Sequence, residues 1–381
     1  MTPFAFHTAK SVIFRPGGAA DLGGLAAPLL GPRVLFVTDP GILRLGLADA
    51  ALAALGPGVT VFAGVEADPS QATLLAAVAA GQGATGVVGF GGGSAMDVAK
   101  LAALLLGSGE SLDDAWGVGN ASGPRLPLVL VPTTAGTGSE VTPVAIITVG
   151  AEEKRGVSSA VLLPDLALLD PDLTLDLPPA ITAATGIDAM VHAIEAYASA
   201  NPNANPLSRQ LARQALRLLG ANIETAVRNG ADRAARGAML LGATLAGQAF
   251  ANAPVAAVHA LAYPLGGVFH IPHGLSNALV LAEVLRFNAP VAGATYAEIA
   301  ADAFPALAGI EGSQARTVAF IAELAALGPR LGLPARLRDA GVPQDALPRL
   351  AAEAMKQTRL LVNNPREVTE PDALAIYRAA W

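Results

Sequence analysis

Gly86-Val87-Val88-Gly89-Phe90-Gly91-Gly92-Gly93-Ser94-Ala95-Met96-Asp97-Val98-Ala99-Lys100 decides the fold. A strand-like run, Gly86 to Phe90, ends in a glycine triplet, and a helix-forming segment follows from Ala95 to Leu106. A short apolar strand feeding directly into a helix belongs to a parallel sheet covered on both faces. The same alternation surrounds it. Arg33 to Asp39 reads as a buried strand ending in a polar residue, Ala72 to Ala80 as a helix, and Pro127 to Pro132 as a strand running into Thr and Gly. Past about residue 180 the character changes. Ala/Leu-rich segments dominate (Arg209 to Thr225, Ala231 to Ala251, Arg316 to Leu327, Pro348 to Val362) and strand-like runs are scarce. The proline-rich Asp176-Leu177-Pro178-Pro179 marks the boundary, so the expectation is an α/β domain over 1–180 and an all-helical domain over 181–381.

Composition narrows the function classes. The 381 residues suit two domains rather than one core. A hydrophobic share of 52% excludes a disordered or fibrous chain. With net charge −7 and no Lys/Arg run, nucleic acid and anionic membrane surfaces are not expected partners. The absence of cysteine removes disulfides, zinc fingers, iron–sulfur clusters and thiol catalysis. No signal peptide is read at the N-terminus, so a cytoplasmic location is expected. Gly237 to Ala282 contains no Asp, Glu, Lys or Arg, but Gln248, Asn252, three histidines and three prolines interrupt it. Such polar groups are costly in lipid, so a buried centre of a soluble domain is the expectation.

Glycines in the Gly91-Gly92-Gly93 turn let backbone approach a phosphate, and the free N–H groups of the helix start favour an anion. Counted from Gly89 the spacing is G-x-G-x-x-S, so the third glycine of the usual dinucleotide pattern is missing, and a plain tight turn would use the same residues. A second loop, Pro132-Thr133-Thr134-Ala135-Gly136-Thr137-Gly138-Ser139-Glu140-Val141-Thr142, also follows a strand, where small hydroxyl residues suit a ligand in a sheet crevice. Asp39 ends a strand too. Its carboxylate could accept from a ribose diol and repel a 2′-phosphate, or simply cap a helix.

Four of the five histidines lie between residues 192 and 273. Asp188 and His192, at i and i+4, project from one helix face. His259 and His273 are fourteen residues apart, about 21 Å along a straight helix, so the segment must fold back to bring them to one ion. Pro264, Gly266, Gly267 and Pro272 are the expected breaks. One carboxylate and three imidazoles suit Fe²⁺, Zn²⁺ or Mn²⁺. A helix ion pair and hydrogen-bonded core histidines are the bland alternative, but burying four such groups unpaired costs several kcal/mol. His7 is read as structural, and His270 as a neighbour of the site.

These motifs resemble the iron-containing (group III) alcohol dehydrogenases. The resemblance rests on Gly91-Gly92-Gly93-Ser94 with Asp97 and Lys100, the Pro132 to Thr142 loop, Leu163-Pro164-Asp165 with Leu169-Asp170-Pro171, Gly186-Ile187-Asp188 through Tyr197, and the runs at His259 and Pro272-His273-Gly274. It implies a Rossmann-like N-terminal dinucleotide domain, an all-helical metal domain of dehydroquinate synthase-like architecture, and a cleft between them. The metal ligands it implies are Asp188, His192, His259 and His273. The cofactor contacts are Gly92, Gly93, Ser94, Asp97, Thr133, Thr134, Thr137, Thr142, Lys154 and Leu173, with Asp39 favouring NAD over NADP. Where many members carry a further histidine, this chain has Tyr263. With a pKa near 10, tyrosine is a poorer base at neutral pH, which puts the proton route in question.

The expected reaction is reversible hydride transfer between NAD(H) and a small alcohol/aldehyde pair, assisted by a Lewis-acidic metal, iron foremost with zinc the alternative. Phe250, Pro254 and His270 are candidates for the pocket wall, Tyr263 for a proton relay. A homodimer or higher homo-oligomer is expected. The rivals are maleylacetate reduction, hydroxyacid–oxoacid transhydrogenation, a dehydroquinate synthase-like lyase, and a silent binding protein. The absence of Lys and Arg from 237–282 argues against the first, and retention of all four ligands against the last.

Overall fold

The computed structural model describes residues 3–150 and 153–381. They form two compact units, His7–Leu175 and Asp176–Trp381, the second also taking in the N-terminal residues up to Phe6.

Among its described residues the first unit has nine strands: β1 (Val12–Phe14), β2 (Val34–Val37), β3 (Val59–Phe62), β4 (Gly86–Gly91), β5 (Gly117–Val118), β6 (Leu128–Pro132), β7 (Val144–Val149), β8 (Glu153–Ser158) and β9 (Leu166–Leu169). Its helices are α1 (Leu22–Leu30), α2 (Pro40–Arg44), α3 (Asp49–Leu55), α4 (Gln71–Ala80), α5 (Gly93–Ser108) and α6 (Leu112–Ala115). Six strands form one parallel sheet in the order β1-β9-β6-β4-β2-β3, and β5, β8 and β7 form a second, smaller one. Successive residues serve opposite faces. Leu35, Val37, Val87, Leu128 and Leu130 pack with Met96 and Ala99 of α5. Val34, Phe36, Val88, Phe90, Val129 and Val131 pack with Leu22, Ala26 and Leu30 of α1. Each such buried side chain contributes about 2 kcal/mol, which is why these strands are apolar throughout rather than alternating. Gly89 sits where α5 crosses the sheet: a Cβ there would lie 2.7 Å from Ala99 Cβ and 2.7 Å from Leu130 Cδ2.

From β2 the chain moves outward to β3 and then returns to the other side of β2 to lay down β4. The reversal makes a topological switch point at the carboxyl ends of β2 and β4, the place where open α/β sheets bind ligands.

The second unit is helical among its described residues: α7 (Pro179–Ala198), α8 (Pro206–Arg228), α9 (Arg233–Asn252), α10 (Ala257–Phe269), α11 (His273–Ala303), α12 (Ser313–Arg330), α13 (Leu347–Met355), α14 (Thr358–Leu361) and α15 (Glu370–Ala380). The expected single helix at Pro348–Val362 is two helices, interrupted at Lys356 and Gln357. The uncharged 237–282 stretch is divided over α9, α10 and α11. Only α11 is long and apolar enough to cross a membrane among the described residues. It packs against α7, α8, α10, α12 and α15.

The expected fold-back between His259 and His273 occurs, but not at Pro264, Gly266 or Gly267, through which α10 runs unbroken. The reversal is at His270, which takes φ 54°, followed by Ile271 and Pro272. Burial explains the difference. Ala257 to Ala262, Pro264 and Leu265 are all buried, so packing holds the helix against the local preference of its proline and glycines. The Tyr377 hydroxyl donates to the Leu261 carbonyl (2.6 Å), inside the turn that Pro264 deprives of a donor.

Candidate metal centre

Asp188 and His192 stand one turn apart on α7, His259 is the third residue of α10, and His273 opens α11. The short reversal between α10 and α11 brings the last two against α7. One donor atom from each of the four lies within 4.8 Å of all the others. Asp188 Oδ1 is 3.8 Å from His192 Nε2, 3.8 Å from His259 Nε2 and 3.7 Å from His273 Nε2. Ligands about 2.1 Å from a common ion stand at about this separation from one another, so the set fits a divalent cation. Asp188, His192 and His259 are buried, whereas the His273 side chain is 43% exposed, which leaves one side open.

Burial alone would raise the Asp188 carboxyl. The three imidazoles and a hydrogen bond from Asn277 outweigh it and hold the group below its ordinary value, ionised and ready to ligate. Asn277 Nδ2 is 2.6 Å from Asp188 Oδ1 and 3.3 Å from both His259 Nε2 and His273 Nε2. Its buried Oδ1 has no hydrogen-bond partner among the described residues. Gly274 is obligatory beside His273, because a Cβ there would stand 2.3 Å from the Ala184 carbonyl oxygen of α7.

Glu195 was not singled out from the sequence. Its Oε2 is 2.7 Å from His259 Nδ1, and its Oε1 accepts from the Val258 N–H at 2.7 Å. This fixes the tautomer that leaves Nε2 free to ligate. The signal was available: Glu195 follows His192 at i+3 on the same helix face, and a ligating histidine needs an acceptor for its other nitrogen.

Phe250 is brought to the site, its ring centroid 4.4 Å from that of His192, and Tyr263 stands 5.8 Å from His273 in the same measure. Pro254 follows α9 and its carbonyl accepts from Ser199. His270 is exposed at the end of α10. Neither is joined to the four donors by a hydrogen bond or ring contact among the described residues.

In the α/β unit, Asp39, Gly92, Gly93, Ser94, Thr133, Thr134 and Thr137 stand just beyond the carboxyl ends of β2, β4 and β6. Gly92 caps α5 and Gly93 opens it, followed by Ser94; no side chain bonds the helix start. The Thr133 N–H donates to the Gly91 carbonyl at 2.9 Å. Thr137 Cγ2 lies 2.9 Å from where a Gly93 Cβ would be, so the threonine loop rests directly on the helix start. Thr134 Oγ1 is buried there with no hydrogen-bond partner among the described residues. Asp39 Oδ1 accepts from the Gly41 and Ile42 N–H groups, capping α2, while Oδ2 faces Gly91. The remaining expected residues are otherwise engaged. Asp97 accepts from Ser139 Oγ and the Ile146 N–H, Thr142 Oγ1 is 3.2 Å from Lys100 Nζ, Lys154 Nζ pairs with Asp68 at 2.5 Å, and Leu173 is buried in the apolar layer with Phe90.

A phosphate-type helix start at the switch point of one unit, and four converging cation donors in the other, are the parts of an enzyme that pairs a dinucleotide with a metal ion. Comparison with known proteins assigns the family. Residues 9–171 match the iron-containing alcohol dehydrogenases, and residues 182–381 match the C-terminal region of the Fe-containing alcohol dehydrogenase family. The chain belongs to that family. It is 42% identical to long-chain-alcohol dehydrogenase 1 of Geobacillus thermodenitrificans over 363 residues, 92% of this chain and 89% of the relative. The crystal structure of a 1,3-propanediol oxidoreductase superposes with TM-score 0.95 at 34% identity, covering all of both chains. That of sulfoacetaldehyde reductase from Bifidobacterium kashiwanohense in complex with NAD+ does so with TM-score 0.88 at 29% identity, over 100% of this chain and 99% of that one.

Proposed function

We propose that this enzyme moves hydride reversibly between NAD(H) and a small alcohol/aldehyde pair, using an iron(II) ion held by Asp188, His192, His259 and His273. The observation that carries the reading is the convergence of these four donor atoms within 4.8 Å. A divalent cation in this donor set supplies Lewis acidity toward an alcohol oxygen, and the nicotinamide supplies the hydride acceptor.

The chain's own residues do the rest. Glu195 holds His259 in the ligating tautomer, and Asn277 keeps Asp188 ionised and aimed. Phe250 shields the His192 side of the site from water, and the Tyr263 ring packs beside His273. Gly92, Gly93 and Thr134 offer N–H and hydroxyl groups to the pyrophosphate. Asp39, through the oxygen facing Gly91, accepts from the adenosine ribose and repels a 2′-phosphate. A cytoplasmic homodimer or higher homo-oligomer completes the proposal.

The test is elemental analysis of the purified protein together with NADH absorbance over a panel that includes long-chain alcohols and 1,3-propanediol, with NAD and NADP. Sulfoacetaldehyde is added in the reductive direction. The expected result is stoichiometric iron and steady NADH production. NAD retained without net NADH formation on any alcohol would favour a dehydroquinate synthase-like lyase instead.

A further inference from the structure

Lys100 lies on α5, two turns beyond the glycine start, and its side chain is wholly buried. Its Nζ donates to Ser139 Oγ at 2.7 Å, Thr142 Oγ1 at 3.2 Å and the Val144 carbonyl at 2.8 Å, and is 3.6 Å from Asp97 Oδ1. Asp97 in turn accepts from Ser139 Oγ at 2.7 Å and from the Ile146 N–H at 2.9 Å. Ser139 and Thr142 end the threonine loop, while Asp97 and Lys100 belong to the helix whose first turn carries Gly93 and Ser94. All six residues of the network sit in the α/β unit.

We propose that Lys100 is a positioning residue for the dinucleotide, locking the threonine loop of residues 133–142 against the glycine-rich start of α5 so that both present their groups to one cofactor. This rests on the reading that these two loops bind NAD. A buried ammonium is an expensive way to fix a loop: burial drives Lys100 down to about 8, against the attraction of Asp97 and Glu140. Those two are the titratable groups that face it; α4, β4, β6 and β7, which pack on α5, carry no titratable side chain. Methionine would fill the same space in an apolar layer without the penalty, so what the ammonium supplies is the geometry of three converging acceptors.

The test is NAD+ binding to the metal-loaded protein, by calorimetry, for the wild type, Lys100→Met and Ser139→Ala. Thermal midpoint and metal content are measured alongside. Loss of one charge-assisted hydrogen-bond set predicts NAD+ affinity about tenfold weaker or more in Lys100→Met, and a smaller loss in Ser139→Ala. The KM for alcohol and the metal content should hold. Wild-type affinity should itself weaken as pH rises through about 8, and Lys100→Met should be flat over that range. Wild-type NAD+ affinity in a folded Lys100→Met, or no change in wild-type affinity between pH 7 and pH 9, would overturn the proposal. Failure of the unmodified enzyme to bind NAD+ at all would instead sink the cofactor reading beneath it.

Discussion

Glu195 Oε2 lies 2.7 Å from His259 Nδ1 while its other oxygen accepts from the Val258 N–H, so one carboxylate sets both the start of α10 and the tautomer that leaves His259 Nε2 free. Glu195→Gln keeps the shape but turns an NH₂ group toward one of the two donors. Metal affinity should fall about ten- to a hundredfold, the usual scale for such outer partners. Competition with a coloured chelator measures it; an unchanged dissociation constant would remove Glu195 from the centre.

His259→Ala and His273→Ala should each abolish most metal binding and nearly all turnover. NAD+ binding should persist, because its residues belong to the other unit. Gly274→Ala offers a subtler probe: the new methyl, 2.3 Å from the Ala184 carbonyl, must push the first turn of α11 and His273 with it. We expect lowered metal occupancy and a lower thermal midpoint. Full occupancy in His273→Ala would refute the ligand set.

Asp39→Asn preserves the cap, since Oδ1 can still accept from Gly41 and Ile42, but removes the charge. The ratio of kcat/KM for NADP over NAD should rise by about tenfold, or 1 to 2 kcal/mol, with no change in thermal midpoint. Asp39→Gly should relax cofactor choice similarly and in addition lose the side-chain cap, at a few tenths of a kcal/mol. Equal use of NAD and NADP by the unmodified enzyme would contradict the role given to Asp39.

Tyr263→Phe should leave kcat within about threefold, because the hydroxyl is not the group that holds the reacting oxygen. A general acid–base role would instead cost about 10²-fold or more, most severely near neutral pH. Stopped-flow NADH formation at pH 7 and pH 9, with metal content checked, separates the two.

Acid should weaken the α/β unit through Asp165. Burial alone would raise this carboxyl, but Arg125 Nη1 (2.5 Å), Lys10 Nζ (2.5 Å) and the Leu128 N–H (3.0 Å) bring it down to about 2. A carboxyl lower in the fold than in the unfolded chain stabilises above its ordinary value of 3.8, and that contribution disappears as pH falls toward about 2. Urea midpoints at pH 5 and pH 3 should therefore diverge less in Asp165→Asn than in the wild type.

The α/β layer was legible in sequence because β2, β4 and β6 are buried on both faces and so read as unbroken apolar runs. Their order in the sheet was not, because pairing depends on long-range contacts that no local pattern encodes. The four donors could be named from residue type and spacing, yet the place of the chain reversal could not: Pro264 and its neighbouring glycines mark a break that tertiary burial overrides. Asp97 shows the opposite limit. Its position beside the glycine turn suggests a cofactor contact, but only the fold reveals that Ser139 and Ile146 already occupy its oxygens.

The chain has no cysteine and hence no disulfide. Its four-donor centre draws on α7, α10 and α11, so a shared cation would close the segment from Asp188 to His273 into a ring, as a disulfide does. Unlike a disulfide, this clasp is set by the free metal concentration rather than by the redox poise of the surroundings. Metal starvation would then loosen the helical half while sparing the sheet, and the same polypeptide would carry one half whose persistence tracks metal supply and another whose persistence does not.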